Sequence, residues 1–191
     1  MCHRALLDAT YRAFLLRIDE DLAAETRAGG CRRCGAALHR DLYPRKPRGG
    51  PGDPSKSDRR RLSFTCSICD KRHTPVSVRF LGRRVYRAAT VVLASALRAG
   101  LGDWRVKQLT EWIGVPRRTL ERWHAWWVHE FVDTRFWVIA HGQFMPPVAL
   151  PASLLARFDS SDLASQLTAT LRFLAPLGDP ASPQAATCSE R

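Results

Sequence analysis

The chain has 191 residues, enough for one or two small domains, with 25% charged side chains and a net charge of +12. No apolar run approaches the ~20 residues that cross a bilayer, and Met1 to Leu7 lacks the apolar stretch and cleavage site of an export signal. Neither a membrane span nor secretion is expected, and in the cytoplasmic address that follows thiols bind metal rather than pair as disulfides.

The charge is unevenly placed. Residues 31–87 hold sixteen Lys/Arg against four Asp/Glu, whereas the rest of the chain carries fourteen of each sign. All the excess sits on one segment, the footprint of a polyanion-binding surface. Charge serving only solubility has no reason to be so confined.

In chain order, residues 4–28 predict a helix, with Leu7, Tyr11, Phe14, Leu15, Ile18 and Leu22 at helical spacing and Gly29-Gly30 as the stop. Its mixed polar positions suit a packing or dimerisation element. Next come Cys31-Arg-Arg-Cys34 and Cys66-Ser-Ile-Cys69, separated by 31 residues. Each Cys-x-x-Cys turn offers two thiolates, and two such knuckles facing each other build a tetrahedral four-thiolate cage for structural Zn²⁺. Gly35 directly follows the first pair, where such a knuckle wants a residue tolerant of φ > 0.

Short β-like pieces surround the knuckles at residues 37–39, 62–65 and 76–80, the pattern of a zinc ribbon made of two hairpins. Between them the Gly/Pro-rich stretch 47–58 reads as a loop, bracketed by Arg45, Lys46 and Arg48 and by Arg59, Arg60 and Arg61. That makes a cationic arm able to order on a nucleic-acid backbone. His39 and His73 lie five and four residues after a cysteine. With four thiolates available, they are expected at the surface or as hydrogen-bond partners of the ligands. Cys2 and Cys188 have no partner at metal spacing. A dithiol redox role is the rival chemistry for the pairs, but no βαβ pattern accompanies them.

Helical texture returns over 83–100. Asp103 is placed as an N-cap for a helix over 104–113, Gly114-Val115-Pro116 as a sharp turn, and Pro116 as the first residue of a long aromatic helix. Leu120, Trp123, Trp127 and Phe131 form one stripe on it, expected to be core rather than a base-stacking platform, as is Trp137, with Trp126 off the stripe. Residues 106–123 fit a helix-turn-helix: Leu109, Ile113, Val115 and Leu120 make a small core, and Arg117, Arg118, Thr119 and Arg122 open the second helix. Arginine is the side chain best suited to bidentate contact with guanine or phosphate. After Gly142 a linker, a weak helix over 161–174 and a Pro/Ala/Ser-rich tail complete the chain.

Together, Cys31-x-x-Cys34-Gly35, the run from Tyr43 to Gly50, Phe64-Thr65-Cys66-x-x-Cys69 and the segment Val106 to Trp123 resemble the N-terminal zinc-ribbon and helix-turn-helix region of bacterial insertion-sequence transposases and their small accessory proteins. The resemblance covers residues 31–127. It implies element-DNA binding, with zinc at Cys31, Cys34, Cys66 and Cys69 and reading positions at Arg117, Arg118 and Arg122. Full transposases of this kind continue into an RNase-H-like domain with three metal-binding carboxylates. Here the 49 residues after Gly142 carry only Asp159, Asp162, Asp179 and Glu190 as acids, without a strand–helix alternation around them, so no catalytic triad is expected.

The expectation is a small α+β protein that is not an enzyme. A packing helix (1–30) leads into a zinc ribbon with a basic loop (31–82), then an all-α helix-turn-helix domain (83–142), then linker, helix and tail (143–191). Its expected partner is double-stranded DNA in the nucleoid, with a second copy or a transposase as companion. The competing expectation is a zinc-stabilised protein-interaction or RNA-binding module.

Overall fold

The computed structural model describes residues 9–48, 55–80, 102–143 and 163–178. These form a small α+β structure: five α-helices and one three-stranded antiparallel sheet. The expected helix over 83–100, the Gly/Pro loop at 49–54, Cys2, Cys188 and the C-terminal tail lie outside the described residues.

Helix α1 (Ala9–Ala28) buries Tyr11, Leu15 and Ile18, the apolar stripe seen in the sequence, but also Asp19. Strands β1 (Leu38–Pro44) and β2 (Arg60–Cys66) pair antiparallel, with Leu38 opposite Cys66 and Pro44 opposite Arg60. β3 (Arg72–His73) adds to β2, with His73 opposite Phe64. The cysteines thus sit at one end of the sheet and the arginine-rich segment at the other. Ala23, Cys31, Leu38, Leu62, Phe64 and Cys66 form a small core beneath the sheet.

The β-like piece expected over 76–80 forms no strand: Val76 to Arg79 are irregular and Phe80 makes a single β-bridge. Its donors are taken by side chains: Val78 N–H donates to Asp19 Oδ1 (2.8 Å), and Arg79 and Phe80 N–H donate to Ser77 Oγ (3.1 and 3.2 Å). Amides committed in this way are not free for a strand ladder.

Helix α2 (Asp103–Ile113) ends at Gly114, whose left-handed backbone (φ 64°) returns its N–H to Thr110 O at 3.1 Å. Helix α3 (Arg117–Ala125) follows, flanked by extended Pro116. Two boundaries differ from expectation. Gly102 is the N-cap and Asp103 the first helical residue, and Pro116 precedes α3 rather than opening it. Leu109, Ile113, Val115 and Leu120 are buried between the helices, as their spacing predicts.

The long aromatic helix expected beyond Pro116 is broken. Residues Trp126–Glu130 form a widened turn in which Phe131 N–H bonds Trp126 O, five residues back, and Phe131–Asp133 then tighten into a 3₁₀ turn. The extra residue in the turn brings both Trp126 and Trp127 to Phe131, with centroids 5.5 and 4.6 Å away. The stripe is nonetheless core: Leu120, Trp123, Trp127 and Phe131 are each at most 3% exposed. Thr134 starts helix α4 (Arg135–Ala140), which buries Phe136 and Trp137. Helix α5 (Leu163–Leu174) proves a full member of the main core, with Leu167, Leu171 and Leu174 completely buried. Thr168 Oγ1 on it reaches Tyr11 Oη of α1 at 3.3 Å.

Candidate metal centre and cationic surface

Both knuckles are built by the same backbone device. Cys31 N–H donates to Ala36 O (2.9 Å) and Cys66 N–H donates to Lys71 O (3.1 Å), each spanning its own Cys pair, and Ser67 N–H joins the turns by donating to Ala37 O at 3.1 Å. The residue after each pair is left-handed, Gly35 at φ 73° and Asp70 at φ 51°. Gly35 is as the sequence predicts. Asp70 is one of the few side chains that tolerate this region.

The four Sγ atoms of Cys31, Cys34, Cys66 and Cys69 lie within 4.8 Å of one another. Cys34 is 3.4 Å from Cys66 and 3.7 Å from Cys69, and Cys31 is 3.6 Å from Cys69. A tetrahedron with metal–sulfur bonds of about 2.3 Å has sulfur edges of about 3.8 Å. These four free thiols therefore sit close together as the ligands of a tetrahedral ion do.

Donors converge on the sulfurs. Cys66 Sγ accepts N–H bonds from Ile68 (3.4 Å) and Cys69 (3.5 Å), and Cys31 Sγ accepts one from Arg33 at 3.4 Å. The N–H of Cys69, then that of Ile68, pulls the Cys66 thiol down to about 6. Burial raises the Cys31 thiol, but the N–H groups of Arg33 and Cys34 outweigh it and leave it lowered. For Cys34 the Ala36 N–H pulls downward, yet contact with Cys66, burial and the other two sulfurs prevail and push it up to about 12. Four adjacent thiols cannot all ionise without a cation among them.

His73 supplies a further hydrogen-bond partner. β3 carries its Nε2 to 3.2 Å from Cys31 Sγ, so of the two expected hydrogen-bond partners this one sits against the ligand set, whereas His39 is exposed on β1. Its spacing from Cys69 was the signal available in the sequence.

The basic residues divide sharply. Lys46, Arg48, Arg59, Arg60, Arg118 and Arg122 are exposed, and Thr119 is half-buried at the start of α3. Arg61 is a correction to the expected cationic triplet: it is 3% exposed and donates to Pro75 O at 3.1 Å, so it cannot face a phosphate. β2 is covered on both faces here, with Arg61, Leu62, Ser63 and Phe64 all buried, so neither side of the strand offers Arg61 an outlet to solvent. Burial draws the Arg61 guanidinium below its usual range, partly offset by Tyr43. Arg45 is half-buried with its guanidinium over the Tyr43 and Phe80 rings, 5.5 and 5.8 Å from their centroids. Arg117 is exposed but engaged by Asp103 at 2.6 Å and Glu121 at 3.5 Å, and the bond to Asp103 raises its pKa.

One pair was missed entirely. Asp19 lies eight and four residues after Tyr11 and Leu15, hence on the apolar stripe of α1, and it is buried against Arg79 with Nε donating to Oδ2 at 2.7 Å. A carboxylate on a buried stripe signals a buried cation. Among the described residues no helix is long and apolar enough to cross a membrane. No protein-family model, curated protein or solved structure matches the chain.

Proposed function

We propose that the chain is a sequence-preferring double-stranded-DNA-binding protein whose four-cysteine cage holds a structural Zn²⁺ ion, acting as a transposon accessory or as a transposase without its catalytic domain. The observation that carries the zinc assignment is the tetrahedral spacing of four thiols: an all-sulfur tetrahedral set selects zinc or iron–sulfur chemistry, and a single-ion cage of two knuckles suits zinc. With all four positions held by protein, such an ion has no site for water and serves rigidity rather than catalysis.

The DNA assignment rests on charge placement. Arg118 and Arg122 stand exposed on α3 at i and i+4, one turn apart on one face, free of the Leu120/Trp123/Trp127 stripe that seats the helix. Lys46, Arg48, Arg59 and Arg60 supply sequence-independent phosphate contacts. In a ribbon followed by a helix-turn-helix, the first module positions and the second selects.

Metal analysis is expected to find one zinc per chain, and selection from random duplexes a preferred sequence. Arg118→Ala and Arg122→Ala are expected to relax that preference by about 1–3 kcal/mol per lost base contact. A protein that folds without metal, or that binds no duplex in 50 mM salt, would refute the assignment. Duplex-free capture of a partner after nuclease treatment would favour a protein-interaction module, and preference for RNA over duplex DNA an RNA-binding one.

A further inference from the structure

The end of the sheet remote from the cysteines carries an arrangement that neither the cage nor α3 uses. Arg79 is 8% exposed, and all three of its guanidinium nitrogens donate. Nε binds Asp19 Oδ2 at 2.7 Å, Nη1 binds Ser57 O at 3.1 Å, and Nη2 binds Arg60 O at 3.1 Å. Asp19 is held in turn by Ser77 Oγ at 2.7 Å and Val78 N–H at 2.8 Å. One buried side chain thus ties α1 to two carbonyls flanking exposed Arg59 and Arg60.

The same stretch of backbone is closed from the other side. Arg45 N–H donates to Arg59 O at 2.6 Å, while Ser55 and Asp58 lock the turn before it, Ser55 N–H and Oγ reaching Asp58 Oδ2 at 3.0 and 2.8 Å. Among the described residues of this stretch the one carboxylate, Asp58, is thereby turned into its own backbone, and Lys46, Arg48, Lys56, Arg59 and Arg60 are exposed. Burying a guanidinium is costly unless every donor is met. The fork geometry of arginine, which lysine lacks, meets it with three acceptors at once.

We infer that Arg79 is a positioning residue for a phosphate-binding collar: anchored on Asp19, it fixes the 57–60 backbone so that Arg59 and Arg60 meet the nucleic-acid backbone preordered. The inference rests on the DNA-binding reading and assigns the collar's fixed shape to a residue that touches no phosphate. Preordering saves the entropy of immobilising a loop on binding, so without it affinity falls, and the salt slope falls too wherever Arg59 or Arg60 no longer reaches a phosphate, although no surface charge is removed.

The test is duplex binding measured from 50 to 300 mM salt, with amide exchange on the zinc-loaded protein. Arg79→Lys keeps a charge beside Asp19 but cannot span both carbonyls. It is expected to weaken binding about tenfold, to lower the salt slope by about one to two, and to speed exchange at Arg59 and Arg60, while protection of the rest of β2 beyond Arg60 and α3 sequence preference persist. Arg59→Ala/Arg60→Ala in the native background is expected to lower the slope by about two, near 0.9 per phosphate. An unchanged slope in the Arg59→Ala/Arg60→Ala variant overturns the inference whatever happens to Arg79→Lys, and so does a native slope in Arg79→Lys. If those outcomes accompany duplex binding that still depends on Arg118, the DNA-binding function stands and only the collar fails. If the native protein binds no duplex, the functional reading itself fails.

Discussion

Gly30 and Gly35 bracket the first knuckle with nearly equal backbone angles, φ 68° and 73°, yet they are needed for different reasons. A Cβ at Gly35 would meet nothing within 4 Å, so an alanine there suffers only the left-handed backbone, about 1–2 kcal/mol. A Cβ at Gly30 would lie 2.9 Å from Gly35 O and 3.3 Å from Ala36 O, backbone atoms of the very turn that places Cys31 and Cys34. Gly30→Ala therefore adds a collision that only displacement of the knuckle relieves. In urea unfolding of the zinc-loaded protein, Gly35→Ala is expected to lose about 1 kcal/mol and Gly30→Ala at least about twice that. Equal losses would mean that the Gly35 carbonyl yields freely. Asp70, left-handed in the second knuckle, gives the converse: its position can accept glycine without strain.

At the scale of elements, the junction at Thr134 decides where the aromatic helix ends. Thr134 is buried, its Oγ1 donates to Phe131 O at 2.7 Å, and the same oxygen accepts Trp137 N–H at 3.2 Å, closing one helix end and opening the next. Thr134→Ala leaves the Trp137 N–H unmet, while Phe131 O keeps the backbone N–H of residue 134 at 3.1 Å, and is expected to cost about 1–2 kcal/mol, with Thr134→Ser recovering most of it in thermal melts. Loss of stability in both variants alike would point to the methyl group instead. The apolar stripe from Leu120 to Phe131 was legible because its spacing holds whether or not the helix is continuous. The break was not, since it depends on Trp126 and Trp127 competing for the same ring, although a threonine poised to cap was a visible sign. The knuckles were legible for a related reason: a Cys-x-x-Cys turn is a local structure whose partner need only be a matching turn. Arg61 was not read correctly, because a run of arginines has no period that separates its buried member from its exposed ones, and the Asp19–Arg79 pair was not read at all. Asp19 could have been found from its place on the stripe of α1.

For the molecule as a whole, two cores of unequal strength share one chain. Among the described residues, nineteen buried side chains from α1 to α5, Val78 among them, form the larger. The sheet core has six described members, two of them metal-ligand candidates, and six such side chains are too few to hold β1–β3 by burial alone. The sheet's stability is therefore linked to the ion, and through it to protons. At pH 7 Cys66, near 6, is already thiolate, whereas Cys34, near 12, keeps its proton. Zinc must displace at least that proton, so affinity is expected to rise about tenfold per pH unit from 6 to 8 for each proton released. Below about 6 Cys66 protonates as well and the dependence steepens. Without an ion the two thiols work in opposite directions: the lowered Cys66 thiol contributes to folding above 9.0 and loses that contribution as pH falls through about 6, while the raised Cys34 thiol contributes below 9.0 and loses it as pH climbs towards about 12. Chelator competition from pH 5 to 8, read beside amide exchange, should therefore find zinc loss and β2 opening on acidification in one step, with the amides of Leu120, Trp123 and Leu171 still protected. Zinc affinity flat from pH 6 to 8 would show that Cys34 does not hold the exchanged proton, and simultaneous exposure of β2 and the helices would show that the two cores unfold as one.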